Sequence, residues 1–442
     1  MYICLVARQL FFCQPSCKIV EGEEAGMALL MGCIADDLTG ASDLAGVLVA
    51  AGMRTMQTIG IPSTRLPAGL DAVVVALKSR TAPVAEAVAE SLAALEWLGG
   101  YGCDHVFFKY CSTFDSTSDG NIGPVLDALA RACGSKFSIA CPAFPANRRT
   151  VYQGHLFVGD RLLNESGMEH HPLTPMTDSN LVNILQTQTE TRIGLIPLAD
   201  IRADHVASAA DRLMANGIGA AIADAIEEQD LLTLGRFCAT LPLSSGASGL
   251  GEGIGRALMV DRSIGAPVVL PRTSGPRAVL AGSCSTATQR QVVTMRRAHP
   301  SFQIELDGKR TVEEIGSEAC AWFDAHADEG PVLIFSTADP ETVARQRAIL
   351  PNASAVLEEI LATVAVYMIQ KGLRALIVAG GETSGAVVQR LGIETLKIGP
   401  EIDPGIPWTI ASAPDTPEMV LALKSGNFGA DDFMLKAWDL LP

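Results

Sequence analysis

Charge is scarce in this chain of 442 residues, at 19%, and positive charge scarcer still: 33 Lys and Arg stand against 49 Asp and Glu, a formal net charge of −16. That balance argues against nucleic acid or an anionic membrane as partner. An anionic small molecule is still admissible, because a few local Lys and Arg outweigh a distant field. No apolar run of about 18 residues is read, so no membrane span is expected. The eleven cysteines are odd in number and contain no Cys-x-x-Cys, and no His-x-x-x-His accompanies them. A disulfide framework and a zinc site are therefore not expected; most cysteines read as small buried hydrophobes in a reducing compartment. Gly-x-Gly-x-x-Gly with a following ribose-binding acid is missing, which disfavours a dinucleotide enzyme, and no Gly-Lys-Ser/Thr marks a common P-loop. There are no repeats or low-complexity tracts.

What is present is a well-packed composition, 48% hydrophobic, at a length that one core rarely supports, so two domains are the default. Residues 1–26 stand apart. Cys4, Cys13 and Cys17 sit among Phe11, Phe12 and Pro15 without periodicity. The segment lacks the basic start and cleavage site of a signal peptide. It reads as an extension outside the fold, with Met27 as functional start and the cytoplasm as expected location.

The chain is organised around Leu376-Ile-Val-Ala-Gly-Gly-Glu-Thr-Ser-Gly385. A buried strand ends in small residues, and Val387, Val388 and Leu391 then recur at helical spacing. A helix is expected from Thr383 or Ser384. Such a turn aims backbone N–H groups and a helix dipole at one point, which suits a phosphate. A tight connection that needed glycines is the competing reading. A second informative stretch runs from Met27 to Asp43. Its strand reaches Ile34 or Ala35, with Asp36 and Asp37 at the carboxyl end, where open α/β sheets bind ligands. Thr39 or Ser42 is expected to cap the following helix. The two carboxylates suit a base and a metal or hydroxyl ligand; a solvated capping pair is the bland alternative.

Strands and helices alternate from there. Strand Ala72–Leu77 leads to Lys78-Ser-Arg-Thr81, and Val84–Leu98 is helical. Strand His105–Phe108 leads to Lys109, Ser112, Thr113 and Asp115, a hydroxyl-rich cluster that suits a polyhydroxylated acid or, equally, an ordinary surface loop. Strand Ser138–Ala140 precedes a Pro-rich loop with Arg148, Arg149 and His155; His170–Met176 is a second rigid loop. Strands Ile193–Ile196 and Ala220–Ala223 and the helix around Leu231–Leu241 close the first domain. Residues 246–276, dense in Gly, Ser and Pro, read as the junction. The second domain then brings strands Ala278–Ala281, Val332–Phe335 and Leu421–Leu423, with small-residue turns at Gly282–Ser285 and Lys424–Gly429. This order favours two α/β domains with mainly parallel sheets and an active site in the cleft between them.

Together, Ile34-Ala-Asp-Asp-Leu-Thr-Gly40, Lys109-Tyr-Cys-Ser-Thr-Phe-Asp-Ser-Thr117 and Val378-Ala-Gly-Gly-Glu-Thr-Ser-Gly385 resemble the four-carbon acid sugar kinase family. The resemblance runs from about Met27 to the C-terminus. It implies a sugar-acid-binding domain over 27–245 and a nucleotide-binding domain over 277–442. Phe108–Asn121, Thr150–Gly159 and His171–Met176 are similar to the branch acting on 3-oxo-tetronate rather than on threonate or erythronate. The resemblance implies ATP-dependent phosphorylation of such an acid at its terminal hydroxyl. It also implies ATP contacts at Ser283 or Ser285, at Gly380, Gly381, Glu382 and Thr383, and at Gly426. Two departures stand out: Arg148 replaces a glycine of the family pattern, and Ala247 replaces another at the junction.

The kinase reading gives each group a role. Gly380 to Gly385, Ser384 included, hold ATP with Mg2+, whose ligands are unassigned. Lys78, Arg80, Lys109 and Arg149 are candidates for the substrate carboxylate, with Ser112 and Thr113 for its hydroxyls. Asp37 or Asp36 is the expected base and Asp115 the second choice. Rival readings are a D-threonate or D-erythronate 4-kinase, a sugar-acid dehydrogenase or isomerase, and a non-catalytic sugar-acid sensor. Homo-oligomerisation is left open.

Overall fold

The computed structural model describes residues 28–171, 174–414 and 416–442. The N-terminal extension, Met27 and part of the His170–Met176 loop lie outside the described residues. Fifteen strands form one continuous sheet, and a separate three-stranded sheet covers Arg149–Tyr152, His155–Val158 and Arg161–Leu162.

The N-terminal half contributes, in spatial order, Thr55–Ile59, Ala72–Ala76, Met31–Ala35, Val106–Lys109, Leu243–Gly246, Ser138–Cys141, Ala220–Ala223 and Ile193–Ile196. All of these pair in parallel. The C-terminal half runs Ser301–Gln303, Val332–Phe335, Arg277–Ala281, Ala375–Ala379, Thr416–Lys424, Ile406–Ala413 and Thr395–Asp403. Its first five strands are parallel and its last two antiparallel. Parallel strands buried on both faces read as unbroken apolar runs, such as Val332-Leu-Ile-Phe335. That is why most of these strands are visible in the sequence.

The two halves join edge to edge. Thr395, Leu396 and Lys397 pair antiparallel with Thr58, Gln57 and Met56. Neither of those strands stands out in the sequence, because Thr55-Met-Gln-Thr-Ile59 is half polar and is buried by pairing rather than by apolar character.

Two sequence expectations are corrected. The glycine-dense stretch is not a junction throughout: Leu243–Gly246 is a central strand and Ser248–Leu258 a helix. The glycines serve close helix packing. A Cβ at Gly251 or Gly255 would lie within 2.4 or 2.9 Å of Leu44 or Leu48, and one at Gly253 within 2.3 Å of the Leu231 carbonyl oxygen. Within 246–276, helix and strand are missing from Ala247 and from 259–276. Second, one helix does reach the length and apolarity of a membrane span, Ala353–Gln370. It buries Ile360, Leu361, Val364, Ala365 and Met368 in the core of the C-terminal half, so its apolarity has a packing cause.

Candidate active site

Asp36 and Asp37 leave the sheet at the carboxyl end of Met31–Ala35, and Asp37, not Thr39 or Ser42, caps the helix Leu38–Ala50. Its carboxylate accepts the Gly40 N–H at 3.2 Å and the Thr39 hydroxyl at 2.7 Å. Arg80 arrives from the end of the neighbouring strand. Its guanidinium forks onto Asp36 at 2.9 and 2.8 Å, reaches Asp37 at 2.5 Å, and stands 3.8 Å from Asp115. Burial alone would raise Asp37, but the charges of Arg80 and Lys109 and the bonds from Thr39 and Gly40 outweigh it and bring it to about 2. Burial pushes Asp36 up, with Arg80 working against it. The adjacent carboxylates are thus set apart: Asp36 takes the Arg80 guanidinium at two points, while Asp37 is a firm anion that meets Arg80 once and caps the helix.

Lys109 is buried, donates to the Tyr110 carbonyl at 2.9 Å, and lies close under Gly40, where a Cβ would come within 3.0 Å of its Nζ. The loop beyond it is held tightly. Phe114 and Asp115 both have positive φ, and Thr113 donates to Asp115 at 2.6 Å. Consecutive non-glycine residues in that region are strained and tend to mark functional sites.

In the C-terminal half the three small-residue turns converge. A Cβ at Gly282 would lie 2.2 Å from the Thr383 hydroxyl, one at Gly380 would lie 3.1 Å from the Ser283 nitrogen, and one at Gly426 would lie 2.4 Å from the Ser283 hydroxyl. Gly380 has φ 134 and caps the helix Gly381–Arg390 without a side-chain bond, so the first-turn N–H groups are directed at the cleft. This helix begins two residues earlier than the sequence suggests. Ser285 caps its own helix, Thr286–Arg296, and donates to the Gly426 carbonyl at 2.5 Å. Ser384 is buried and its hydroxyl turns inward to the Val378 carbonyl, whereas Gly381 and Glu382 are exposed.

The two clusters face each other. A Cβ on Gly381 would lie 4.0 Å from the Thr39 hydroxyl, which itself bonds Asp37. Lys78 Nζ stands 3.2 Å from Glu382 Oε2, one lobe to the other. The structure therefore brings together Asp36, Asp37, Asp115, Arg80, Lys109 and Thr113, and opposite them Ser283, Ser285, Gly380 to Gly385 and Gly426. Arg149 is apart: its Nη1 donates to the Asn147 carbonyl, and among the described residues no ion pair ties it to the Arg80 cluster. Ser112 is half-buried without a side-chain hydrogen bond among the described residues. Arg148 has φ 59, the region glycine favours, while Ala247 has φ −88, which any residue adopts.

Comparison with known proteins agrees with this two-lobed arrangement. A sugar-binding N-terminal domain model matches residues 31–254 and a nucleotide-binding C-terminal domain model residues 278–434. The chain belongs to the four-carbon acid sugar kinase family. It is 53% identical to a 3-oxo-tetronate kinase of Burkholderia multivorans, covering 92% of this chain and 96% of that one. It is 51% identical to a 3-oxo-tetronate kinase of Pseudomonas fluorescens, with the same coverage. A crystal structure from Haemophilus influenzae superposes with a TM-score of 0.78 at 40% identity, covering 93% of this chain and all of that one. One from Salmonella typhimurium, described as a tRNA synthase, gives 0.85 at 41% identity, covering 94% of this chain and 100% of that chain.

Three residues beside these two clusters are not singled out by sequence. Asp43 is buried, accepts the Ser248 hydroxyl at 2.5 Å, and leaves Oδ1 unpartnered beside Gly405 of the opposite lobe. Lys424, fully buried at the end of an apolar strand, donates to Thr288, Gly426 and Phe428 at 2.9, 2.8 and 3.0 Å and so fixes the Gly426 turn. A lysine ending the apolar run Val420–Leu423 is the signal that could have found it. Glu358 comes from the helix Ala353–Gln370; burial, and then the nearby charge of Glu382, push its carboxyl up, with Lys78 working against them.

Proposed function

We propose that this kinase transfers the terminal phosphoryl group of ATP to the 4-hydroxyl of 3-oxo-tetronate across the seam between Gly381 and Thr39. The observation that carries the reading is that seam: a phosphate-type helix start and a carboxylate-capped helix start meet face to face. The substrate name comes from the relatives, nearly full-length matches at up to 53% identity.

The N–H groups of Gly381, Glu382 and Thr383 hold the phosphates, with Gly380, Gly385 and Gly426 giving the backbone its close approach. Asp37, an anion at any working pH, accepts the hydrogen bond of the substrate alcohol and takes its proton as the new P–O bond forms. Arg80 is already engaged by three carboxylates, so it orients Asp36 and Asp37 rather than gripping the substrate. Lys109, with one hydrogen-bond partner, and Lys78, which is exposed, are better placed for the acid's carboxylate, with Thr113 and Ser112 for its hydroxyls. Packing of the two lobes at the seam excludes water and limits ATP hydrolysis.

ATP brings Mg2+, which supplies charge neutralisation at the phosphates. Among the described residues no group of three or more His, Cys, Asp or Glu side chains converges on a metal position. Asp43, with one oxygen unpartnered, would be the side chain to offer such an ion a contact.

A coupled ADP-release assay with 3-oxo-tetronate, D-threonate and D-erythronate tests the reading. Turnover is expected to be fastest with 3-oxo-tetronate. Faster turnover with either hydroxy acid would transfer the proposal to that substrate.

A further inference from the structure

Lys424 is a buried titratable group for which the kinase chemistry above has no use. It ends the strand Thr416–Lys424, is fully buried beside Ala379, and accepts the Gly380 N–H at 2.8 Å through its own carbonyl. Its backbone therefore supports the Gly380 turn. Its side chain supports the Gly426 turn, since Nζ donates to the carbonyls of Gly426 and Phe428 and to the Thr288 hydroxyl. Ser285 and Thr288 donate to the same Gly426 carbonyl at 2.5 and 2.9 Å, which ties the Gly282–Ser285 turn to the same knot. Gln291 draws the carbonyls of Phe428, Gly429 and Ala430 to that side as well.

Across a trans peptide, a carbonyl and the next N–H point in opposite directions. Three donors hold the Gly426 carbonyl inward, so the Asn427 N–H is turned outward. That N–H has no partner among the described residues, and Asn427 is exposed. An outward main-chain N–H backed by an ammonium suits an anion.

The ammonium itself lacks an anion, because its three partners are all neutral. The neighbouring strands Ala375–Ala379 and Ile406–Ala413 carry no charged residue, and Glu418, at the far end of its own strand, is exposed. The charges on the other elements around it are engaged elsewhere. Arg290 pairs with Asp431, Asp403 with Lys436, Arg390 with Glu359 and Glu382 with Lys78. Arg296 lies over the Phe335 ring, and Asp43 accepts the Ser248 hydroxyl. Burial, with no charge to offset it, brings Lys424 down to about 7. A buried charge without a partner is costly, and phosphates laid on the turn would supply the partner.

We propose that Lys424 is a positioning residue for phosphoryl transfer: its ammonium holds the Gly426–Asn427 peptide with the N–H outward, and the phosphates of the bound nucleotide are its counter-charge. The proposal rests on the nucleotide reading above. It makes nucleotide binding take up a proton, because the phosphates keep on Lys424 a proton that the free protein gives up as pH rises past about 7. Affinity must then fall above that pH.

Calorimetry of ADP binding to the full chain at pH 8, in two buffers of different ionisation enthalpy, counts that proton. Uptake of about one proton per ADP is expected, and ADP affinity should fall by about tenfold between pH 7 and pH 9. Lys424→Met should weaken ADP by about tenfold at pH 7 and show neither the uptake nor the pH dependence. Lys424→Arg, charged throughout that range, should bind ADP more tightly than Lys424→Met and lose only the pH dependence. A lysine that merely fills its place in the fold would give none of these pH effects. ADP binding without proton uptake, or a pH dependence unchanged in either variant, would overturn the role of Lys424 and leave the nucleotide reading standing. No ADP binding by the unaltered protein would overturn both.

Discussion

At the scale of single residues, burial decides which charges are available. His105 is buried between the Leu241 carbonyl at 2.7 Å and the Ser244 hydroxyl at 3.0 Å, and burial lowers its pKa to about 4. The unfolded chain binds a proton there near the ordinary value of about 6.5, so between pH 6.5 and 4 the unfolded state holds more protons. Stability must therefore fall as pH drops through that window. The loss is on the order of 3 kcal/mol. In urea melts at pH 7 and pH 4.5, His105→Gln should flatten this dependence relative to the unaltered chain; an unchanged slope would mean that His105 is not the group responsible. Asp37 shows the opposite case, a carboxylate kept ionised by Arg80 and Lys109. Its residue type and place at a strand end are legible in sequence. The saturation of Arg80 is not, because the Asp36–Asp37 pair and Asp115, from two separate segments, converge on it only in the fold.

At the scale of elements, the nucleotide turns are legible and the glycine-dense helix is not. Both are runs of small residues. The difference lies in what approaches the backbone: open cleft at Gly381, and the carbonyl of Leu231 at Gly253. Helix propensity opposes glycine by about 1 kcal/mol per residue, so Ser248–Leu258 is helical because three neighbours pack where side chains would stand. Gly253→Ala should accordingly destabilise despite its better propensity, by about 1–3 kcal/mol from overpacking. Chemical denaturation measures it; a gain in stability would show that the helix is not close-packed there. The hairpin Thr395–Ala413 escapes sequence reading for a related reason. Pro400 and Pro407 interrupt its two strands, and Thr395–Asp403 is only partly buried, held between the lobes by pairing with a strand of each half.

At the scale of the whole molecule, the lobes are two α/β halves welded through one antiparallel seam in a continuous sheet. Motif order predicts the halves and the cleft, since each motif follows a buried strand. It does not reveal the weld, which is made by polar strands. In this structure the weld sets the phosphate turn facing the Asp37 helix. The account therefore turns on Asp37 acting across that gap. ADP release with 3-oxo-tetronate, measured together with ADP affinity in Asp37→Asn, tests it most directly. Turnover should fall by at least about a hundredfold, the contribution of a general base, with nucleotide affinity within about twofold. Turnover retained in the variant, or affinity lost in parallel with it, would contradict the account.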